Sequence, residues 1–260
     1  MTKSQLAILC GSIFLFLGIY FGFDTKAPEQ KKVEKARTLN AQSTDINTLL
    51  GSARNEISPE QSGEILLLEA EVNETTEQID KVEAMKKLSG AWYRAKFPSI
   101  SGFYAEQIAE LEGTAEAWSI AGSTYSAGIK SEKKDVARSF CQERALKAFE
   151  NAVSLQPENA THRLNLALTH VEGPSPMKGI MDIRALNEKY PENVSVIVAL
   201  GRLSLRSGQN DKAVSRLESA LNLEPDNKNA ICLIAQAYKS VGQTTKADTF
   251  DKKCQSLSEN

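Results

Sequence analysis

Pro157, Pro191 and Pro225 stand 34 residues apart, in the matching contexts Gln156-Pro157-Glu158-Asn159, Tyr190-Pro191-Glu192-Asn193 and Glu224-Pro225-Asp226-Asn227. The same shift carries Gly208 onto Gly242, Ala213 onto Ala247 and Leu200-Gly201 onto Ile234-Ala235. It also carries Ala152 onto Leu186, Ala220 and Cys254. A register shared by this many positions makes the chain a repeat protein. Each unit of such a protein leaves apolar surface bare until its neighbours cover it.

One period, 194–227, shows what the unit is. Ile197, Leu200, Gly201 and Leu205 fall at helical spacing, and the pattern breaks at Ser207-Gly208. Ala213, Leu217, Ala220 and Leu221 form a second helical stripe that stops before Pro225, which cannot continue a helix. The small residues Gly201, Ala213 and Ala220 let the two helices approach closely, and Gly208 suits the turn between them. With 41% hydrophobic and 25% charged residues in 260, most of the chain can fold around such a core.

Trp118-x-x-Ala121-Gly122-x-x-Tyr125, followed by Ala145, Phe149, Ala152 and Pro157, resembles the tetratricopeptide repeat (TPR). Between the two halves lie about eleven extra residues, roughly 129–139, which lengthen either the turn or the helices. Later repeats follow near 160–193, 194–227 and 228–257. His170 and Ser204 stand where the family has an aromatic residue, and Gly173-Pro174-Ser175-Pro176 replaces the usual turn. A fainter copy is read at 81–114, on Met85, Leu88-Ser89, Trp92, Ala105 and Ile108. The resemblance implies an all-α fold, a TPR α-solenoid of stacked helix pairs with four repeats over 115–257. Residues 25–80 read as a polar spacer and a helical segment, with Ser58-Pro59-Glu60-Gln61 as a helix start.

Residues 6–23 (LAILCGSIFLFLGIYFGF) form an uncharged apolar run of 18. At about 1.5 Å per residue it spans roughly the hydrocarbon thickness of a bilayer. Residues 1–24 therefore read as an N-terminal transmembrane anchor, with a cleaved signal peptide as the rival. Its far flank is basic (Lys26, Lys31, Lys32, Lys35, Arg37), which taken literally keeps the rest in the cytoplasm. A short leader with Lys3 before an apolar run is instead the mark of a signal anchor, and the reading leans to the exported, periplasmic side.

The chain offers little for chemistry. It has no phosphate loop, dinucleotide fingerprint or Cys-x-x-Cys motif, and only two histidines. His162 and His170 lie eight residues apart, beyond the one-turn spacing of a metal pair. No catalytic residue, metal or cofactor is expected. Cys232 and Cys254 fall on opposite helices of the last repeat and could approach each other, yet buried small apolar residues are the favoured reading over a disulfide. With 31 Lys+Arg against 33 Asp+Glu, the chain lacks the basic excess of a nucleic-acid binder. Asn159-Ala160-Thr161 and Asn193-Val194-Ser195 match the glycosylation pattern but also continue the repeat's Pro-Glu-Asn turn.

What remains is surface. The resemblance implies a concave groove lined by the first helix of each pair. By register this is Ser119, Ser123, Leu164, Leu168, Val198, Arg202, Leu205, Arg206, Cys232, Gln236 and Lys239. The expected ligand is a protein or peptide segment with apolar side chains and an acidic group. Chaperone-tail clamps of this family use Lys, Asn and Arg where this chain has Ser119, Ser123, Asn165, Ser195 and Ala199, so only Asn165 agrees. The leading reading is a non-enzymatic, membrane-anchored scaffold. The alternatives are a chaperone-like factor for exported proteins or cytochrome c maturation, and a cytosol-facing receptor on an organelle membrane.

Overall fold

The computed structural model describes residue 5 and residues 46–257. The apolar run 6–23, and with it the expected anchor, lies outside the described residues. Among the described residues there are twelve helices and no strands, and no helix is long and apolar enough to cross a membrane.

The helices are α1 (Ile46–Arg54), α2 (Pro59–Glu74), α3 (Gln78–Arg94), α4 (Pro98–Glu112), α5 (Ala115–Ser131), α6 (Asp135–Leu155), α7 (Ala160–Glu172), α8 (Pro176–Lys189), α9 (Val194–Arg206), α10 (Asn210–Leu223), α11 (Lys228–Ser240) and α12 (Thr244–Ser256). From α3 onward they pack as successive pairs, α3/α4 to α11/α12, and each pair also packs on the next. Residues 46–257 lie within one compact unit.

The repeat's turns explain its boundaries. Between pairs, the Asn of Pro-Glu-Asn or Pro-Asp-Asn caps the next helix. Asn159 Oδ1 accepts from the Thr161 and His162 amides, Asn193 Oδ1 from Val196, and Asn227 Oδ1 from Ala230. Inside a pair, Gly208 and Gly242 take φ of 72° and 77°. Each turn closes in the same way: Gln209 N donates to Ser204 O at 2.9 Å, and Gln243 N to Tyr238 O at 2.9 Å. Between α3 and α4 the same turn recurs with Lys96 at φ 67° and Phe97 N donating to Trp92 O at 3.0 Å. Trp92 thus holds the aromatic position in α3/α4 that Tyr125 holds in α5/α6 and Tyr238 in α11/α12, each buried. Upstream, Ser58 and Gln61 form a reciprocal capping box at the start of α2.

Close approach inside the pairs follows from missing side chains. A Cβ on Gly122 would lie 2.8 Å from the Phe149 ring, and one on Gly201 would lie 2.8 Å from Leu217 Cδ2. The two contacts are the same contact in different repeats. Apolar burial runs along the stack as separate clusters instead of one central core.

The extra residues near 129–139 lengthen both helices of their pair, to 17 residues in α5 and 21 in α6, against 13 or 14 in later pairs. Their ends hold the N-terminal elements. Lys134 donates to Ser52 Oγ at 2.6 Å and pairs with Glu56 at 2.7 Å, while Glu132 accepts from Ser99 Oγ at 2.6 Å. Leu49 and Ala53 of α1 join the same apolar cluster as Ala137 of α6.

The cysteine expectation is overturned. Cys232 on α11 and Cys254 on α12 form a disulfide, with their Cα atoms 5.0 Å apart. The antiparallel packing of the last pair sets the two side chains face to face, at a level where no following repeat among the described residues covers them. Cys141 is a buried thiol, pushed up in pKa beyond the normal range by burial.

Candidate functional site

A cavity of about 390 Å³ crosses the first helices of three successive pairs. Ser123, Ser126 and Lys130 reach it from α5, Asn165, Leu168 and Glu172 from α7, and Arg202, Leu203 and Arg206 from α9. The helices present these residues because their opposite stripes, such as Ala121 and Tyr125 or Leu200 and Gly201, are buried against the second helix of each pair.

Of the residues expected from sequence to line the groove, Ser123, Leu168, Arg202 and Arg206 come together here. The other seven expected members do not line it. Leu164 is 5% exposed and Val198 6%, and each is built into an apolar cluster between neighbouring pairs, so neither offers a ligand much surface. Leu205 is half-buried against the α9–α12 cluster. Ser119 borders a separate shallow depression with Tyr93 and Ile120. Gln236 and Lys239 are exposed on α11, away from the cavity, and Cys232 is tied up in the disulfide.

Sequence reasoning missed Ser126, Lys130, Glu172 and Leu203 as lining residues, placing Leu205 on the groove instead of Leu203. Lys130 pairs with Glu172 at 3.4 Å across α5 and α7. Lys130 comes from the extension of α5, which a repeat of ordinary length lacks. Ser126 Oγ is buried at the wall without a hydrogen-bond partner. Among the described residues neither Arg202 nor Arg206 has a carboxylate within ion-pair distance. The cavity therefore combines an apolar wall (Leu168, Leu203), one internally neutralised ion pair and two unpaired guanidiniums, each able to grip a carboxylate with two parallel N–H donors.

The titratable groups buried in the repeats have structural partners. Tyr125 donates to Glu106 Oε2 at 2.8 Å, and Arg144 pairs with the other oxygen at 3.1 Å. Burial, then that carboxylate, pushes the Tyr125 phenol well above its ordinary range. His170 Nε2 lies 2.8 Å from Lys178 Nζ, and burial followed by that ammonium holds the imidazole below its usual pKa. His162 differs: it is buried with neither ring nitrogen partnered. Among the described residues no group of three His, Cys, Asp or Glu side chains could hold a metal ion.

No protein-family model matches the sequence, and no curated protein matches it. Solved structures do match. TTC0263, a thermophilic TPR protein in Thermus thermophilus, aligns over 77% of this chain and 95% of its own, with a TM-score of 0.52 and 15% identity. The APC/C hetero-tetramer Cut9–Hcn1 aligns over 77% of this chain and 37% of its own, with a TM-score of 0.54 and 13% identity. YrrB, a TPR protein with an unusual peptide-binding site, aligns over 68% of this chain and 86% of its own, with a TM-score of 0.40 and 16% identity. At such identities the first two similarities establish a shared fold of stacked helix pairs.

Proposed function

We propose that this chain, whose fold is that of tetratricopeptide-repeat proteins, is a non-enzymatic scaffold that binds a protein segment in the cavity across α5, α7 and α9. The observation that carries the reading is the convergence of Leu168, Leu203, Arg202 and Arg206 from successive first helices on one concave site, with neither guanidinium ion-paired among the described residues. An extended segment can lay apolar side chains against the leucines and an acidic group against the arginines. Anchoring through residues 6–23 would hold that partner at a bilayer, where tethering raises its effective concentration without any further contact. The Cys232–Cys254 disulfide supports the exported side for the repeats, because such bonds persist in oxidising compartments.

Two measurements test this. In sealed spheroplasts, external protease should digest residues 33–260; protection until lysis would place the repeats in the cytoplasm and remove the exported reading. Arg202→Glu with Arg206→Glu should abolish capture of the partner while leaving helical content and melting temperature nearly unchanged, since both side chains are exposed. Undiminished capture would sink the groove assignment.

A further inference from the structure

A second cavity, of about 470 Å³, opens at the edge of the stack between α8, α9 and α10. It shares Val171, Leu203 and Arg206 with the groove cavity, so the two meet at Arg206. It is lined by a departure from the repeat pattern. At the position where Trp92, Tyr125 and Tyr238 each bury a ring, α9 has Ser204. The space a ring would fill admits Arg216 of α10, which donates to Ser204 Oγ and, at 3.3 Å, to the Leu200 carbonyl.

These bonds hold the Arg216 guanidinium in place at the cavity wall. Arg184, Arg206 and Lys212 line the same space, against one carboxylate, Glu188. Among the described residues none of the four cations is ion-paired. Burial, then the charge on Arg184, pushes Arg216 below its ordinary pKa, so the two guanidiniums repel each other across the cavity. Like charges fixed together without a counter-ion cost stability, and an anion entering between them relieves that cost.

We propose that this edge cavity is a carboxylate-binding subsite of the groove. In it, Arg184, Arg206, Lys212 and Arg216 hold an acidic residue, or the C-terminal carboxylate, of the peptide whose apolar side chains occupy the adjoining cavity. The inference rests on the groove reading and extends it. A peptide is favoured over a free anion because the walls beside the cations are apolar (Ile180, Leu200, Leu203) and continuous with the groove. Only a ligand carrying both kinds of group uses the whole surface.

The test is selection from a display library of random decapeptides on the full chain in detergent micelles. Selected peptides should carry Asp, Glu or a free C-terminus next to an apolar residue. Resynthesised, they should bind roughly tenfold more weakly to Arg184→Gln with Arg216→Gln. Ser204→Tyr, which restores the ring found in other repeats, should weaken them similarly. Lys212→Gln, an exposed change that leaves packing alone, should act in the same direction. Loss on amidating the peptide would identify a C-terminal carboxylate; loss on exchanging Glu for Gln would identify a side chain. Selected peptides without acidic bias, or affinities unmoved by all three variants, would overturn the subsite while leaving the groove reading standing. Binding of anionic phosphatidylglycerol vesicles through these cations, with peptides indifferent to them, would overturn it also. If no peptide is selected at all, the groove reading falls and takes the subsite with it.

Discussion

The Cα of Gly201 faces Leu217 so closely that an added Cβ would stand 2.8 Å from Leu217 Cδ2. The neighbour is fully buried and cannot swing away. Gly201→Leu should therefore lower stability by about 1–3 kcal/mol through overpacking, read as a fall in melting temperature. A variant as stable as the parent would show that α9 and α10 do not meet in this register.

Lys96 occupies the left-handed turn position that glycine holds at 208 and 242. An L residue there is strained by roughly 1 kcal/mol. Lys96→Gly should raise the denaturation midpoint, and Gly208→Lys should lower it by a comparable amount. If both changes are neutral, the three turns are not equivalent.

His170 is held below its usual pKa by burial and by Lys178, with Asp182 and Glu150 acting in the opposite direction. In the unfolded chain, with a pKa near the ordinary value of about 6.5, it binds a proton more readily than in the folded one. The native state is thus favoured above about pH 6.5, and that advantage is lost as pH falls through the unfolded value towards the lowered folded one. On acidification from neutral pH to about one unit below that unfolded value, the melting temperature of the parent should fall further than that of His170→Phe. Equal falls would show that the imidazole titrates alike in both states.

The disulfide closes a loop with a sequence separation of 22 between α11 and α12. Cys232→Ser with Cys254→Ser should destabilise the last pair by roughly 3 kcal/mol. Unreduced protein should resist thiol alkylation at both positions when denatured. Full labelling without reductant would show that the bond does not form.

Much of the fold was legible because the 34-residue repeat multiplies each weak local preference. Pro157, Pro191 and Pro225 marked the ends of second helices, and Gly208 and Gly242 the turns inside pairs. The α3/α4 pair was harder to see, since Lys96 stands where the turn glycine belongs. The site was only partly legible. Leu168, Arg202 and Arg206, expected on the groove from their place on a first helix, line the cavity, whereas Leu164 and Val198 are buried towards neighbouring pairs. Lys130 sits on the lengthened α5, and the edge cavity is lined by Ser204 where other pairs bury a ring. Such features lie outside the repeat pattern that made the rest readable. The disulfide was missed because cysteine at an apolar repeat position reads as a small hydrophobe until its partner across the pair is seen.

The central claim is that a protein segment lies in the cavity across α5, α7 and α9. A photo-crosslinking amino acid at Ser123, on the rim of that cavity, tests it most directly against one at Leu223, exposed on a second helix. The account predicts a discrete protein adduct from position 123, absent from position 223 and lost with Arg202→Glu and Arg206→Glu. Equal adducts from both positions, or an adduct at 123 indifferent to the two arginines, would contradict it.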